Sequence, residues 1–493
     1  MIFNKKIKIL KEKFFKIFHF HYLWNSPTFT TWGNFFSNSV KNFIILAFIL
    51  NRFASEEVAV FMLFATIISF STLLDFAGYG TFSRLTSYIK GGATSLDNFR
   101  TKKNKIVLEG TNWPLMKKLY GTIGYVFTIL SAGVFIIIAS FGTWSVNRVI
   151  SFTENPTEMW YAWMIVLISI TIGMYGRKYT TILHGLNYIP LINRWNIVIS
   201  TLTLIFSFAT VIISNSLLNL IIVMQFFRIL TVFIHGYLVN YYIENKRFKN
   251  YKSFSWDKNI FNAAWGPSWR SMIVIISSTG VIELSGIIYA QIGNADYISS
   301  YLLAIRLINI ISNVSRAPFY SKLPLFATLR ARGELTKLSS LTNYSITVTL
   351  YTFIISAFFT GLLINPSLNF ISSSTAFIPM TMWALMSLVW FVERHHAVHA
   401  QIYSTTNHIP FYIPVGISGV INILLALLLV NKIGYWAFPI AQGISNLIIN
   451  NWWNVKISLK SINQPVFKYL KLSFFIPLLV LILSQLLLMV IYT

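Results

Sequence analysis

Apolar residues run through this chain in long blocks, broken by short polar ones. Thirteen blocks are near the ~20 residues needed to cross a hydrocarbon core of about 30 Å: 33–51, 58–76, 120–140, 160–176, 195–214, 217–240, 270–291, 297–315, 342–364, 376–397, 411–431, 434–455 and 471–491. The pattern therefore predicts a chain of transmembrane helices. The turn Gly293-Asn294-Ala295-Asp296 joins two blocks into a hairpin over 269–324, and an earlier hairpin over 37–84 has the same layout. Residues 3–22 differ, setting Ile7, Leu10, Phe14, Ile17 and Phe18 opposite Lys5, Lys8, Lys11, Lys13 and Lys16. That spacing predicts an amphipathic helix lying on an anionic leaflet.

Composition agrees: 55% hydrophobic and 11% charged, where soluble domains carry about 25% charged residues. The formal charge of +25 would suggest nucleic acid in a soluble protein. In a membrane protein it reads as basic inner loops touching anionic lipid, and no nucleic acid is expected. The absence of cysteine excludes disulfides, thiolate catalysis and Cys-ligated metals. Of the 39 Lys and Arg, only Arg52, Arg148 and Lys432 fall on the outer side if the N-terminus is inside. Lys41, Arg228 and Arg306 fall within spans, and all the others lie on the inner side. This asymmetry places the N-terminus in the cytoplasm. The longest outer segment, 142–156, is too short for a folded catalytic domain, which needs about 50 residues.

Superposing Ala54–Phe61 on Asn294–Tyr301 places Glu56 on Asp296 and Phe61 on Tyr301. Both hairpins enter the membrane from the same side. The expected repeat is parallel, two lobes related by a pseudo-two-fold axis along the membrane normal.

Residues 52–61 (RFASEEVAVF) resemble the turn between the first two helices of Wzx-type O-antigen and polysaccharide flippases. Residues 74–80 (LDFAGYG) resemble the end of their second helix. Residues 288–301 with Arg306 and Pro324, and 420–423 (VINI) with 434–439 (GYWAFP), are similar to later helices of that family. Departures are Ala59 and Ser299, where the family often has glycine, and the additional span 471–491. The resemblance implies an all-α polytopic protein of the multidrug/oligosaccharidyl-lipid/polysaccharide (MOP) exporter superfamily, with two six-helix lobes. The expected divisions are a basic N-terminus (1–30), an N-terminal lobe (31–242), a linker (243–268), a C-terminal lobe (269–456) and an extra helix (457–493). It also implies a substrate linked to undecaprenyl pyrophosphate, and residence in the bacterial inner membrane. A polysaccharide polymerase and glycosyltransferases would be its partners.

A charge at the centre of a spanning helix costs about 2.5–3.5 kcal/mol on insertion scales, so intramembrane charge usually marks a pathway. Lys41, Arg228 and Arg306 are expected to form a cationic cavity for an anionic headgroup, since Arg and Lys both suit phosphate. The alternative is that they snorkel or pair within the bundle. Glu283 is expected to pair with Arg306, or to bind a coupling proton or sodium ion. Asp75 has a role at the gate or as a cap. Residues 390–399 (WFVERHHAVH) set His395 and His399 on one helical face, with Glu393 and Arg394 beside them. This run is an inner-gate candidate rather than a metal site, because no HExxH order is present. No P-loop or nucleophile-elbow context occurs, and neither an enzyme activity nor a cofactor is expected. The rivals are a cation-coupled drug or metabolite antiporter of the same superfamily, and a membrane-embedded glycan polymerase or glycosyltransferase.

Overall fold

The computed structural model describes residues 24–75, 78–94, 96, 109–244, 256–320, 322–331, 334–406 and 411–492. The expected amphipathic helix over 3–22 lies outside the described residues, as does the 245–255 part of the 243–268 linker. The fold is all-helical. In chain order the α-helices are α1 (Pro27–Arg52), α2 (Ser55–Leu73), α3 (Gly78–Lys90), α4 (Trp113–Ile137), α5 (Thr143–Ile150), α6 (Pro156–Gly185), α7 (Ile189–Ser214), α8 (Leu217–Val239) and α9 (Lys258–Ile275). They continue as α10 (Val281–Tyr289), α11 (Ala295–Tyr320), α12 (Leu323–Ala331), α13 (Leu335–Phe370), α14 (Met380–Ser404) and α15 (Tyr412–Ile433). The last are α16 (Ala437–Ser445), α17 (Asn451–Ser461), α18 (Val466–Leu470) and α19 (Ile476–Tyr492).

Local sequence explains many of the ends. Asn112 accepts from the Leu115 amide (3.2 Å) and Pro114 follows, which starts α4 as an N-cap with a proline in the first turn should. Ser216 caps α8 the same way, accepting from Asn219. Gly434, at φ +58°, ends α15. The two turns aligned by the repeat are built alike: Val58 donates to the Ala54 carbonyl (2.9 Å) and Ile298 to the Asn294 carbonyl (3.0 Å). One-turn π-helical segments interrupt the run at Ile276–Gly280 and Asn446–Asn450; such bulges are frequent at functional sites.

Each of the thirteen expected spans lies mostly on helix, but among the described residues only 11 helices are long and apolar enough to cross a membrane. Two differences account for the gap. The tract Tyr412–Ser461 continues through Gly434 and counts once. Helix α14 carries Glu393, Arg394 and three histidines, and is not among the 11.

Contacts divide the chain into two compact units. The first comprises Met1–Arg52, Leu74–Phe141 and Thr157–Trp269; the second comprises Phe53–Leu73, Gly142–Pro156 and Arg270–Thr493. This division departs from the lobe boundaries expected from sequence at α2 and α5, which both pack within the second unit. Helix α2 packs on α5, α10 and α11 there, and Gln291 donates to the Ser145 carbonyl (2.7 Å). Of the 11 candidate spans, α11 is the most enclosed, with 72% of its apolar window buried against 22% for the window of the last span, Ser473–Tyr492.

The extra C-terminal helix α19 belongs to the second unit's packing, against α13 and α14. A Cβ at Gly361 would lie 2.7 Å from Leu488 and 2.8 Å from Trp383, so glycine is what lets these helices meet. One end of the unit is clasped by Arg330, which donates to Thr405 Oγ1 (2.7 Å), the Ser461 carbonyl (3.0 Å) and Ser461 Oγ (3.1 Å). Hydrogen bonds from a charged donor contribute about 1.5–3 kcal/mol. Arg330→Met is therefore expected to lower the thermal unfolding temperature in detergent by several degrees, with Lys in that position recovering only part.

Candidate functional site

In the first unit, α6 and α8 are joined in matching steps. Ser169 donates to Gln225 (2.8 Å), and Gly173 faces Arg228, whose Nε would stand 3.6 Å from a Cβ there. Gly176 meets Val232, and Tyr179 meets Gly236. Numbers rise together on both helices, so they run parallel, as two even-numbered spans must. The half-buried Arg228 is thus held at mid-helix between α6 and α8.

One turn along α6 from Gly173, Arg177 forms an ion pair with Asp75 (Nη1–Oδ2 3.3 Å) and lies over the Tyr79 ring at 5.9 Å. Burial raises the Tyr79 phenol above its ordinary 10.0, opposed by the Arg177 charge, so the ring faces Arg177 as a neutral phenol. Asp75 is therefore the partner of an arginine that sequence alone assigned to the inner end of a span. With Arg177 29% exposed on its side chain, solvent screens the pair and its contribution is small, about 1 kcal/mol or less. Asp75→Asn should change the melting temperature by no more than a few degrees.

Lys41 lies on a different wall of the same unit. Its Nζ donates to Asn38 Oδ1 (3.2 Å), at one end of a polar seam between α1 and α7. Asn193 donates to Thr31 (2.9 Å), Asn34 to Asn193 (3.3 Å), Asn38 to Asn34 Oδ1 (2.8 Å) and Ser200 to Asn38 (3.4 Å). Thr31, Asn34, Asn38 and Lys41 follow helical spacing on α1, a signal that was legible in the sequence but hidden inside an apolar block.

Arg306 and Glu283 belong to the second unit, on α11 and α10. Glu283 is buried, and Arg306 Nη2 is buried with no hydrogen-bond partner among the described residues. The expected pair does not form: among the described residues no ion pair joins Glu283 to Arg306, although the two charges feel one another. Beside Glu283, a cavity of about 20 Å³ is lined by Ser285, Tyr301, Asn422, Phe438 and Gln442. A space of that size admits a water molecule. Tyr301 and Ser285 share a hydrogen bond there (3.0 Å).

Gln442 also donates to the Glu393 carboxylate, tying the cavity wall to α14. Of the expected inner-gate residues, Arg394, His395 and His399 are all buried. Both histidines meet Tyr469, which sequence reasoning missed because it lies some seventy residues away in the link to the terminal helix. Among the described residues, no group of three or more His, Cys, Asp or Glu is placed to hold a metal ion.

No family model and no curated protein matches this sequence. The fold does match solved transporters. Lipid II flippase MurJ, in an inward closed conformation, superposes with a TM-score of 0.64 at 15% identity, over 94% of this chain and 98% of that one. An inward-facing multidrug resistance MATE family transporter of the MOP superfamily gives 0.64 at 11% identity, over 86% and 95%. The MATE multidrug transporter DinF-BH gives 0.57 at 14% identity, over 90% and 97%. The chain is thus a multi-pass membrane protein with the fold of MOP-superfamily transporters, and the fold class expected from the sequence holds.

Proposed function

We propose that this protein is a flippase that carries an oligosaccharide linked to undecaprenyl pyrophosphate from the cytoplasmic to the outer leaflet of the bacterial inner membrane, by alternating access. The observation that carries this reading is Arg306 Nη2, a buried guanidinium nitrogen with no hydrogen-bond partner among the described residues. A buried donor left unsatisfied costs about 1–3 kcal/mol, more when charged, and an anionic ligand is the natural acceptor. Within the first unit, Arg228 and Lys41 are two further bases set in spanning helices. A diphosphate offers several acceptor oxygens to such groups, and Arg can grip them bidentately. The fold shared with lipid II flippase MurJ supports a lipid-linked substrate. A cytoplasmic N-terminus, and a polymerase and glycosyltransferases as partners, fit the same reading.

The test is deletion of the gene in its host. The reading expects the glycolipid to accumulate on the cytoplasmic leaflet and surface glycan to disappear, with resistance to lipophilic cations unchanged. Normal surface glycan together with lost cation resistance would instead make the protein a drug antiporter.

A further inference from the structure

Helix α14 and the link to the terminal helix enclose a group that headgroup binding does not use. His395 Nε2 lies 3.1 Å and His399 Nε2 2.8 Å from one acceptor-donor, the Tyr469 hydroxyl. The two imidazole rings stand 4.8 Å apart, and the three side chains are 2%, 0% and 3% exposed. Burial holds the phenol's proton on, well above its ordinary 10.0.

A phenol has one proton. It donates to one imidazole and must accept from an Nε2–H of the other. The two neutral rings are therefore in opposite tautomers. Their outer Nδ1 atoms, both buried and without a hydrogen-bond partner among the described residues, carry one proton and one lone pair between them.

We propose that His395, Tyr469 and His399 form a proton relay through the interior of the second unit, passing a proton from the Nδ1 of one imidazole to the Nδ1 of the other. A proton joins the bare Nδ1 of the first ring, whose Nε2 proton moves to the Tyr469 oxygen. The phenol's own proton passes to Nε2 of the second ring, which releases the proton on its Nδ1. One proton enters and one leaves, no net charge remains, and the tautomers have exchanged.

The surroundings favour passage over storage. Arg394 and Glu393 lie on the same helix with His396, and Arg316 and Tyr320 of α11 act on Arg394. A lasting imidazolium would therefore share its helix with the buried Arg394 and a third buried imidazole, His396. Asn446, Asn450, Asn454 and Ser458 follow at four-residue steps on the tract that packs on α14. Asn450 Oδ1, both Asn454 side-chain polar atoms and Ser458 Oγ are buried without partners among the described residues. Buried polar groups of this kind are usually satisfied by ordered water.

The inference rests on the flippase reading in one respect: there, the relay makes the coupling ion a proton rather than sodium. The experiment has two arms. In ¹⁵N-histidine-labelled protein in lipid nanodiscs, the ring nitrogens of His395 and His399 should exchange between the two tautomeric states, and Tyr469→Phe should abolish the exchange. A fixed tautomer for each ring in the unmodified protein overturns the relay. In liposomes holding an undecaprenyl-pyrophosphate oligosaccharide, a one-unit pH gradient supplies about 1.4 kcal/mol per proton, about tenfold. Flipping should quicken by up to that factor, and Tyr469→Phe and His399→Gln should keep the undriven rate while losing the gain. Gain retained in both variants also overturns it. If the unmodified protein moves no glycolipid at all, the flippase reading fails and the tautomer measurement still decides the relay.

Discussion

Replacing Arg306 with Gln should slow glycolipid flipping ten- to a hundredfold while leaving the protein as stable as before, or more so. The two halves of this expectation have one cause. Arg306 lies on the most enclosed of the candidate spans, between the buried Ile305 and Leu307, and its Nη2 has no partner among the described residues. At such depth the charge opposes folding by about 2.5–3.5 kcal/mol on insertion scales, so a neutral amide relieves the fold. A charge-assisted hydrogen bond to a phosphate oxygen contributes about 1.5–3 kcal/mol, which is a ten- to hundredfold change. Paired measurement of flipping rate and melting temperature separates the roles. A fall in melting temperature with the loss of flipping would show Arg306 to be a structural residue.

Gly185→Val is expected to prevent the protein from accumulating in the membrane. A Cβ at Gly185 would lie 2.3 Å from Thr86 Cβ and 2.6 Å from the Ser83 carbonyl. Helix α3 sits against the end of α6 here, with Ser87 donating to the Gly185 carbonyl (2.9 Å) and Lys90 to that of Leu186 (2.7 Å). Overpacking usually costs about 1–3 kcal/mol, and one of the obstructing atoms is backbone, which cannot rotate away. Gly80→Ala is the control on the same helix α3. Nothing lies within 4 Å of its Cβ position, so it should leave stability equal or raise it by up to about 1 kcal/mol. Membrane yield and melting temperature of the two variants check both statements.

The helices were legible because lipid forces the signal: a spanning segment has to be long and apolar. Turn chemistry was legible too, since Ala54 and Asn294 open their helices with the same backbone bond. What could not be read were relations between distant residues. The Asp75–Arg177 pair joins segments a hundred residues apart, and Tyr469 reaches His395 and His399 from the far side of α17. Glu283 and Arg306 were close enough in sequence to suggest pairing, yet side-chain direction on two helices decides contact, and spacing alone does not give it. The charged run of α14 was read as an inner-gate candidate, but its burial and the bond from Gln442 to Glu393 join segments that spacing alone does not bring together.

The central claim is that Arg306, whose Nη2 is buried, serves a lipid-linked pyrophosphate. It is tested most directly by reconstituting the purified protein in liposomes with a fluorescent undecaprenyl-pyrophosphate oligosaccharide and following its accessibility to a membrane-impermeant quencher. The account predicts movement to the outer leaflet well above that in protein-free liposomes, inhibited by free pyrophosphate-bearing glycolipid and not by lipophilic cations. Equal rates with and without the protein would contradict it.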